Sequence, residues 1–238
     1  MSLLRLDKLL SNTGHGSRKE VKKLIRAGRV RINENLVLEP SNYVDPKIDK
    51  VYLDGDIVIY EKYHYIMLNK PTGVISATED KRHRTVLDLL PKSYKDLGLF
   101  PVGRLDKDTE GLLILTNDGN LAHSLLSPKK QVPKTYYARI RGRVESKDIH
   151  IFKSGISLGE TFTTLPAELE ILESGQESKV MVTIFEGKYH QVKRMFKAVG
   201  KEVTYLKRVS MGNLFLDKSL EPGSFRKLTS IELKSLQE

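Results

Sequence analysis

The stretch Gly103-Arg104-Leu105-Asp106-Lys107-Asp108-Thr109-Glu110-Gly111, continued by Leu112-Leu113-Ile114-Leu115-Thr116-Asn117-Asp118-Gly119, constrains this chain more than any other. Its apolar half is a short continuous run, with Gly111 ahead of it and an Asn-Asp-Gly turn behind, and it predicts a buried strand. Just before that strand come Arg104 and Asp106, in a loop entered from Leu99-Phe100-Pro101-Val102. Ionisable groups held beside a core strand incur a desolvation cost unless they are paired. Spacing alone leaves two readings open: a loop that caps the strand with a structural ion pair, or a loop that presents a carboxylate for chemistry.

A chain of 238 residues, 29% charged and 39% hydrophobic, is expected to be soluble and globular, with one large domain or one large and one small. No apolar run approaches the roughly 20 residues of a membrane span, so no membrane partner is expected. The opening residues Met1-Ser2-Leu3-Leu4-Arg5-Leu6-Asp7 lack the apolar core of a signal peptide. There is no cysteine, which excludes disulfides and thiolate chemistry and fits a cytoplasmic protein. The net charge of +10 points to a polyanionic partner. Its distribution supports that reading: residues 1–31 hold nine Lys/Arg against Asp7 and Glu20, and residues 186–208 hold seven against Glu186 and Glu202.

The first segment reads as a helix pair. Leu3, Leu6 and Leu10 share a helical face, Gly14-His15-Gly16 breaks it, and Ser17-Arg18-Lys19-Glu20 is a capping box for the second helix. Val21, Leu24 and Ile25 form that helix's buried face, and Gly28 ends it. Arg18, Lys19, Lys22, Lys23 and Arg26 point outward with Glu20 as their sole acid, and Arg29 and Arg31 follow. Like charges at helical spacing repel by a few tenths of a kcal/mol per pair, which contact with phosphates would relieve. A hairpin around Asn33-Glu34-Asn35 and a turn at Asp54-Gly55 come next, with a linker near residues 60–64.

Beyond the linker, strands are expected at 65–69, 99–102, 112–116, 135–141, 166–172, 179–185 and 203–209. Helices are expected at 86–90, 121–126, 146–153 and 190–199, and a capping box at Thr229-Ser230-Ile231-Glu232 opens a short last one. Strand runs with few helices indicate an α+β fold, with a small α-rich N-terminal domain (1–60 with its linker) and a larger domain (61–238) on a mostly antiparallel mixed sheet. The six histidines show no metal-ligand spacing, and no phosphate-cradling or dinucleotide fingerprint is present. Neither metal nor cofactor is expected.

The 17 positions Gly103 to Gly119 resemble the signature of the RNA pseudouridine synthases, in the branch that modifies ribosomal RNA. Asn69-Lys70-Pro71-Thr72-Gly73, Lys134-Thr135-Tyr136 and Glu186 to Met195 agree with the family in the same order, so the resemblance spans roughly residues 61 to 230. Residues 2–48 are similar to the small RNA-binding domain named after ribosomal protein S4. The resemblance implies a pseudouridine synthase fold and a cofactor-free isomerisation of uridine on a flipped-out base. It places the nucleophile at Asp106, the stacking tyrosine at Tyr136, and the cation paired with the aspartate at Lys193. Arg194, about 100° further round a helix, is expected to bind phosphate instead.

Arg104 matches an arginine that fills the space vacated by the flipped base, although a bridge from Arg104 to an acid remains an alternative. Lys70 is assigned to the RNA backbone or to capping a strand. Arg5, Arg18, Lys19, Lys22, Arg26, Arg29 and Arg31 are assigned to RNA by the N-terminal domain. Tyr189-His190-Gln191-Val192-Lys193-Arg194-Met195 resembles the small-subunit enzymes more than the large-subunit ones, where Arg-Glu-Val-Arg-Arg is usual. That implies an enzyme acting on bacterial 16S rRNA or on a small-subunit assembly particle; a monomer is expected. A 23S rRNA synthase and a catalytically idle RNA-binding or assembly factor are the alternatives. A pure binder has no need to keep Asp106, Tyr136 and Lys193 together. A metal-dependent nuclease is disfavoured, since no acidic or histidine cluster has ligand spacing.

Overall fold

Leu6, Leu9, Leu10, Val21 and Ile25 carry the helical periodicity of the first segment, and in the computed structural model all five are buried. The structure describes residues 3–159 and 162–237. It divides into two units, the first comprising Met1–His64 and Leu90–Phe100, the second Tyr65–Leu89 and Pro101–Glu238.

In the first unit, helices α1 (Leu6–Asn12) and α2 (Arg18–Arg26) pack on a core completed by Val30, Val44 and Val51. Each fully buried aliphatic side chain of this kind contributes about 1.5–3 kcal/mol. The capping box forms as the sequence predicts: Glu20 N–H donates to Ser17 Oγ, and Ser17 N–H donates to Glu20 Oε2 at 2.8 Å. Strand β1 (Leu4–Arg5) pairs antiparallel with β4 (Tyr43–Val44). Strands β2 (Val30–Ile32), β3 (Asn35–Leu36), β5 (Val51–Leu53) and β6 (Asp56–Ile57) form a sheet in the order β3-β2-β5-β6. The chain returns to this unit at Leu90–Phe100, which carries the short helix α3 (Lys92–Lys95). Gly14, at φ +82°, lies against that return: a Cβ there would sit 2.6 Å from the Ser93 carbonyl oxygen.

The second unit is built on β7 (Tyr65–Lys70), β9 (Glu110–Thr116), β10 (Lys134–Arg141), β11 (Glu168–Glu173), β12 (Glu177–Ile184), β13 (Glu202–Met211) and β15 (Phe225–Lys227). They run in the order β11-β12-β10-β13-β9-β7-β15. Every neighbouring pair is antiparallel except β13 with β9. The two-residue strand β8 (Phe100–Pro101) precedes β9, and β14 (Leu214–Phe215) pairs with β13. Helices α4 (Gly119–Leu126), α5 (Ser146–Ser154), α6 (Gln191–Ala198) and α7 (Ser230–Gln237) accompany the sheet. The α+β class is the one expected.

Strand β9 is buried from Gly111 to Thr116, as its unbroken apolar run requires. Gly111 is there because β13 passes too close for a side chain: a Cβ would lie 2.2 Å from the Arg208 carbonyl oxygen. Two expected helices change. Residues 86–90 make only a 3-10 turn, Val86–Leu89, closed by the Asp88 carboxylate on the Thr85 N–H and hydroxyl, both at 2.9 Å. Helix α6 begins at Gln191, since His190 takes a left-handed conformation at φ +48°. Among the described residues, no helix is long and apolar enough to cross a membrane.

Candidate active site

The loop from Gly103 to Thr109 is held through its own backbone groups, which is why the Arg104 and Asp106 side chains can project from it. Ser76 Oγ accepts from the Leu105 N–H at 3.0 Å and donates to the Leu105 carbonyl at 2.9 Å. That reciprocal pair fixes the residue between Arg104 and Asp106. Gly73 N–H donates to the Lys107 carbonyl at 2.8 Å. Lys70 Nζ donates to the carbonyls of Asp106 at 3.0 Å, Thr109 at 2.9 Å and Pro71 at 3.0 Å.

Lys70 is thus corrected from its expected place on the RNA. Its side chain has 0% exposure and its ammonium is spent on loop carbonyls, so it cannot reach a phosphate. Burial pulls its pKa down to about 8, against the attraction of Asp106, Asp108 and Glu110. The carbonyl cradle is the compensation that a buried cation needs.

Asp106, Tyr136 and Lys193 come from a loop, a strand and a helix, and all three line one cavity of about 80 Å³. Tyr136 is on β10, whose alternation places it on the buried face with Lys134, Ala138 and Ile140. The register with β13 shifts between Thr135 and Tyr136, a bulge of the kind that re-aims a side chain. Tyr136 is 8% exposed and lines the cavity.

Lys193 Nζ lies 3.6 Å from Asp106 Oδ2 but 2.5 Å from Asp108 Oδ1. It therefore bridges two carboxylates, the second being one the sequence reading did not assign. The hydrogen bond from Lys193 holds the Asp108 carboxyl below its usual range. On the other side of Asp106, His190 Nε2 is 3.5 Å from Oδ1. Arg194 turns away, as one helical step dictates, and donates from Nη2 to the Leu158 carbonyl at 2.5 Å. Arg104 is exposed and lines the cavity mouth; among the described residues no ion pair holds it.

A family model described as RNA pseudouridylate synthase matches residues 64–198, which contain Asp106, Tyr136 and Lys193. The chain belongs to that family. It is a pseudouridine synthase, an isomerase, and a second model, the S4 domain, matches residues 4–47. An RNA pseudouridine synthase of Bacillus subtilis, YtzG, is 51% identical over 99% of each chain. The ribosomal small subunit pseudouridine synthase A of Vibrio cholerae is 39% identical, covering 98% of this chain and 99% of the relative. The ribosomal large subunit pseudouridine synthase B of B. subtilis is also 39% identical, covering 98% and 95%. A crystal structure of a pseudouridylate synthase superposes with a TM-score of 0.69 at 38% identity, over 98% of this chain and 99% of that one.

The S4 domain is the RNA-binding part of this synthase, and its cations divide into two groups. Arg5 forks onto the buried Asp7, with Nε and Nη2 at 3.1 and 3.0 Å, and Lys22 Nζ stands 3.8 Å from the same carboxylate. Arg29 forks onto Asp54 at 2.7 and 2.5 Å, and Arg31 donates to the Glu34 carbonyl at 2.9 Å. These side chains already have partners within the unit. Arg18, Lys19 and Arg26 stand exposed on α2.

Sequence reasoning missed Ser76, Asp108 and His190. Asp108 and His190 share the motifs of Asp106 and Lys193, two and three positions away from them, and that proximity is their signal in the sequence. Ser76 carries no signal at all, because its role is to hold backbone across 29 residues of chain.

Proposed function

We propose that this synthase isomerises a uridine of ribosomal RNA, with 16S rRNA as the substrate and Asp106 as the nucleophile. The observation that carries the assignment is the convergence of Asp106, Tyr136 and Lys193 on one small cavity. The target uridine leaves its stack, at a cost of a few kcal/mol, and its ring rests on Tyr136 while Arg104 occupies the gap. The Asp106 carboxylate attacks the nucleoside and is released again, its bond to the nucleoside broken, before the product leaves. The bond from the ribose carbon to ring nitrogen breaks, the ring turns, and a new bond forms from the same ribose carbon to ring carbon 5. Carbon 5 loses its proton and the freed nitrogen gains one, so the reaction is an isomerisation. Lys193 keeps its ammonium 3.6 Å from the Asp106 carboxylate and holds it in position.

The choice of 16S rRNA rests on the segment Tyr189 to Met195, which resembles the small-subunit enzymes. The two named relatives at 39% divide between small and large subunits and favour neither. Tritium release from 16S and 23S rRNA transcripts labelled at uracil carbon 5 tests both parts. Release is expected from 16S alone, and release only from 23S would overturn the substrate assignment. Asp106→Asn should abolish release while weakening rRNA binding less than about tenfold, or 1.4 kcal/mol. Turnover by Asp106→Asn near the wild-type rate would overturn the nucleophile.

A further inference from the structure

Tyr189, in the loop that carries His190, is left without a task by the reaction above, and its situation is unusual. It is 77% exposed, although an aromatic ring with a structural role is normally covered. Its ring is nevertheless ordered against a neighbour: it stacks on the His190 imidazole with centroids 3.9 Å apart and planes 16° from parallel. Adjacent side chains in regular structure point apart. Here they stack where His190 adopts the left-handed conformation, one that a non-glycine residue takes up at a cost.

The loop under the pair is firmly tied. Buried Gln191 accepts from the Lys188 N–H at 2.9 Å and donates to Glu186 Oε1 at 3.0 Å, and the same oxygen accepts from the Leu165 N–H at 2.8 Å. His190 in turn sets its Nε2 3.5 Å from Asp106. The two rings therefore have a fixed position relative to the reacting carboxylate, with Tyr189 as the outer of the two. Both line a cleft of about 1480 Å³ that also takes in Arg104, Asp106 and Lys107. It is far larger than the cavity at Asp106, so it has room for chain on either side of a flipped nucleotide.

We propose that the Tyr189–His190 pair is a stacking subsite for a nucleobase of the RNA next to the nucleotide held at Asp106. An exposed ring with a second ring behind it offers a base a flat apolar face, and the cations of the cleft accompany the phosphates. Every base has such a face, so the subsite adds affinity and fixes the position of the strand without reading which base it holds. The proposal rests on the reading of this site as one that acts on a flipped uridine in RNA.

The chain contains no tryptophan, so Tyr189→Trp installs a single indole at the subsite. Titration of the full-length variant with 16S and 23S rRNA transcripts should quench that fluorescence, because a base stacks on it. Heparin, which offers anionic charge without bases, should compete for binding without quenching. In tritium release with the same transcripts, Tyr189→Leu should raise KM at least tenfold with kcat within about twofold, and Tyr189→Phe should match the wild type. Absence of quenching by bound RNA, equal quenching by heparin, or an unchanged KM for Tyr189→Leu would each overturn the subsite. A wild-type chain that releases no tritium while the indole is still quenched would instead count against the catalytic reading.

Discussion

Tyr136 combines a ring face and a hydroxyl, and it lines the cavity at Asp106. Tyr136→Phe keeps the face and removes the hydroxyl, whereas Tyr136→Leu removes both. If the ring supports the flipped uracil, Leu should weaken binding of the RNA target by about 1–3 kcal/mol relative to Phe. Equilibrium binding of the two variants checks this, with a thermal melt to confirm that each remains folded around a residue only 8% exposed. Equal binding would remove the stacking role. At this scale the sequence singles out Asp106, Tyr136 and Lys193 because each falls in a motif with a recognisable residue type, and the fold brings the three to one cavity. Of the two places expected for Lys70, the RNA is excluded for a physical reason. A lysine in a basic, RNA-binding chain suggests a phosphate, but this one is the buried pin of the Asp106 loop, and only the fold shows which carbonyls surround it.

Helix α2 shows how an element can be legible in outline and not in detail. Its capping box and apolar face were read from Ser17, Glu20, Val21 and Ile25, and both are present. Which of its cations remain available was not readable, because Asp7, the acid that draws Lys22, comes from α1. Reversing charge at Arg18, Lys19 and Arg26 should therefore weaken rRNA binding while leaving the fold intact. Phosphate contacts position RNA without reading its bases, so the loss should be similar for different RNAs. Each lost contact should lower the slope of log affinity against log salt by about 0.7–0.9. Filter binding across a salt series measures it. An unchanged slope would make α2 a solvated surface.

For the whole molecule, the chain's return to the first unit at Leu90–Phe100 alters what a truncation should do. Deleting residues 1–60 leaves every strand of the large sheet in place, so tritium release should persist, with more RNA needed for the same rate. The segment Leu90–Phe100, however, loses most of the unit to which it belongs. Trypsin should then cut after Lys92 and Lys95 much faster than in the full chain, as mass spectrometry of the early fragments would show. Equal cutting rates would mean that this segment holds its structure without the first 60 residues.

The sequence by itself determined the α+β class, the family and the strand β9. These are local properties: hydrophobic period, turn residues and motifs a few residues long. Tertiary structure alone decided that Lys193 is shared between Asp106 and Asp108, that His190 closes on Asp106 from the other side, and that Tyr189 is held outward over the cleft. Each depends on two or more segments meeting across the fold: Lys193 lies 85 positions from Asp108. Such a meeting is set by sheet order and register, which no local pattern in the chain records.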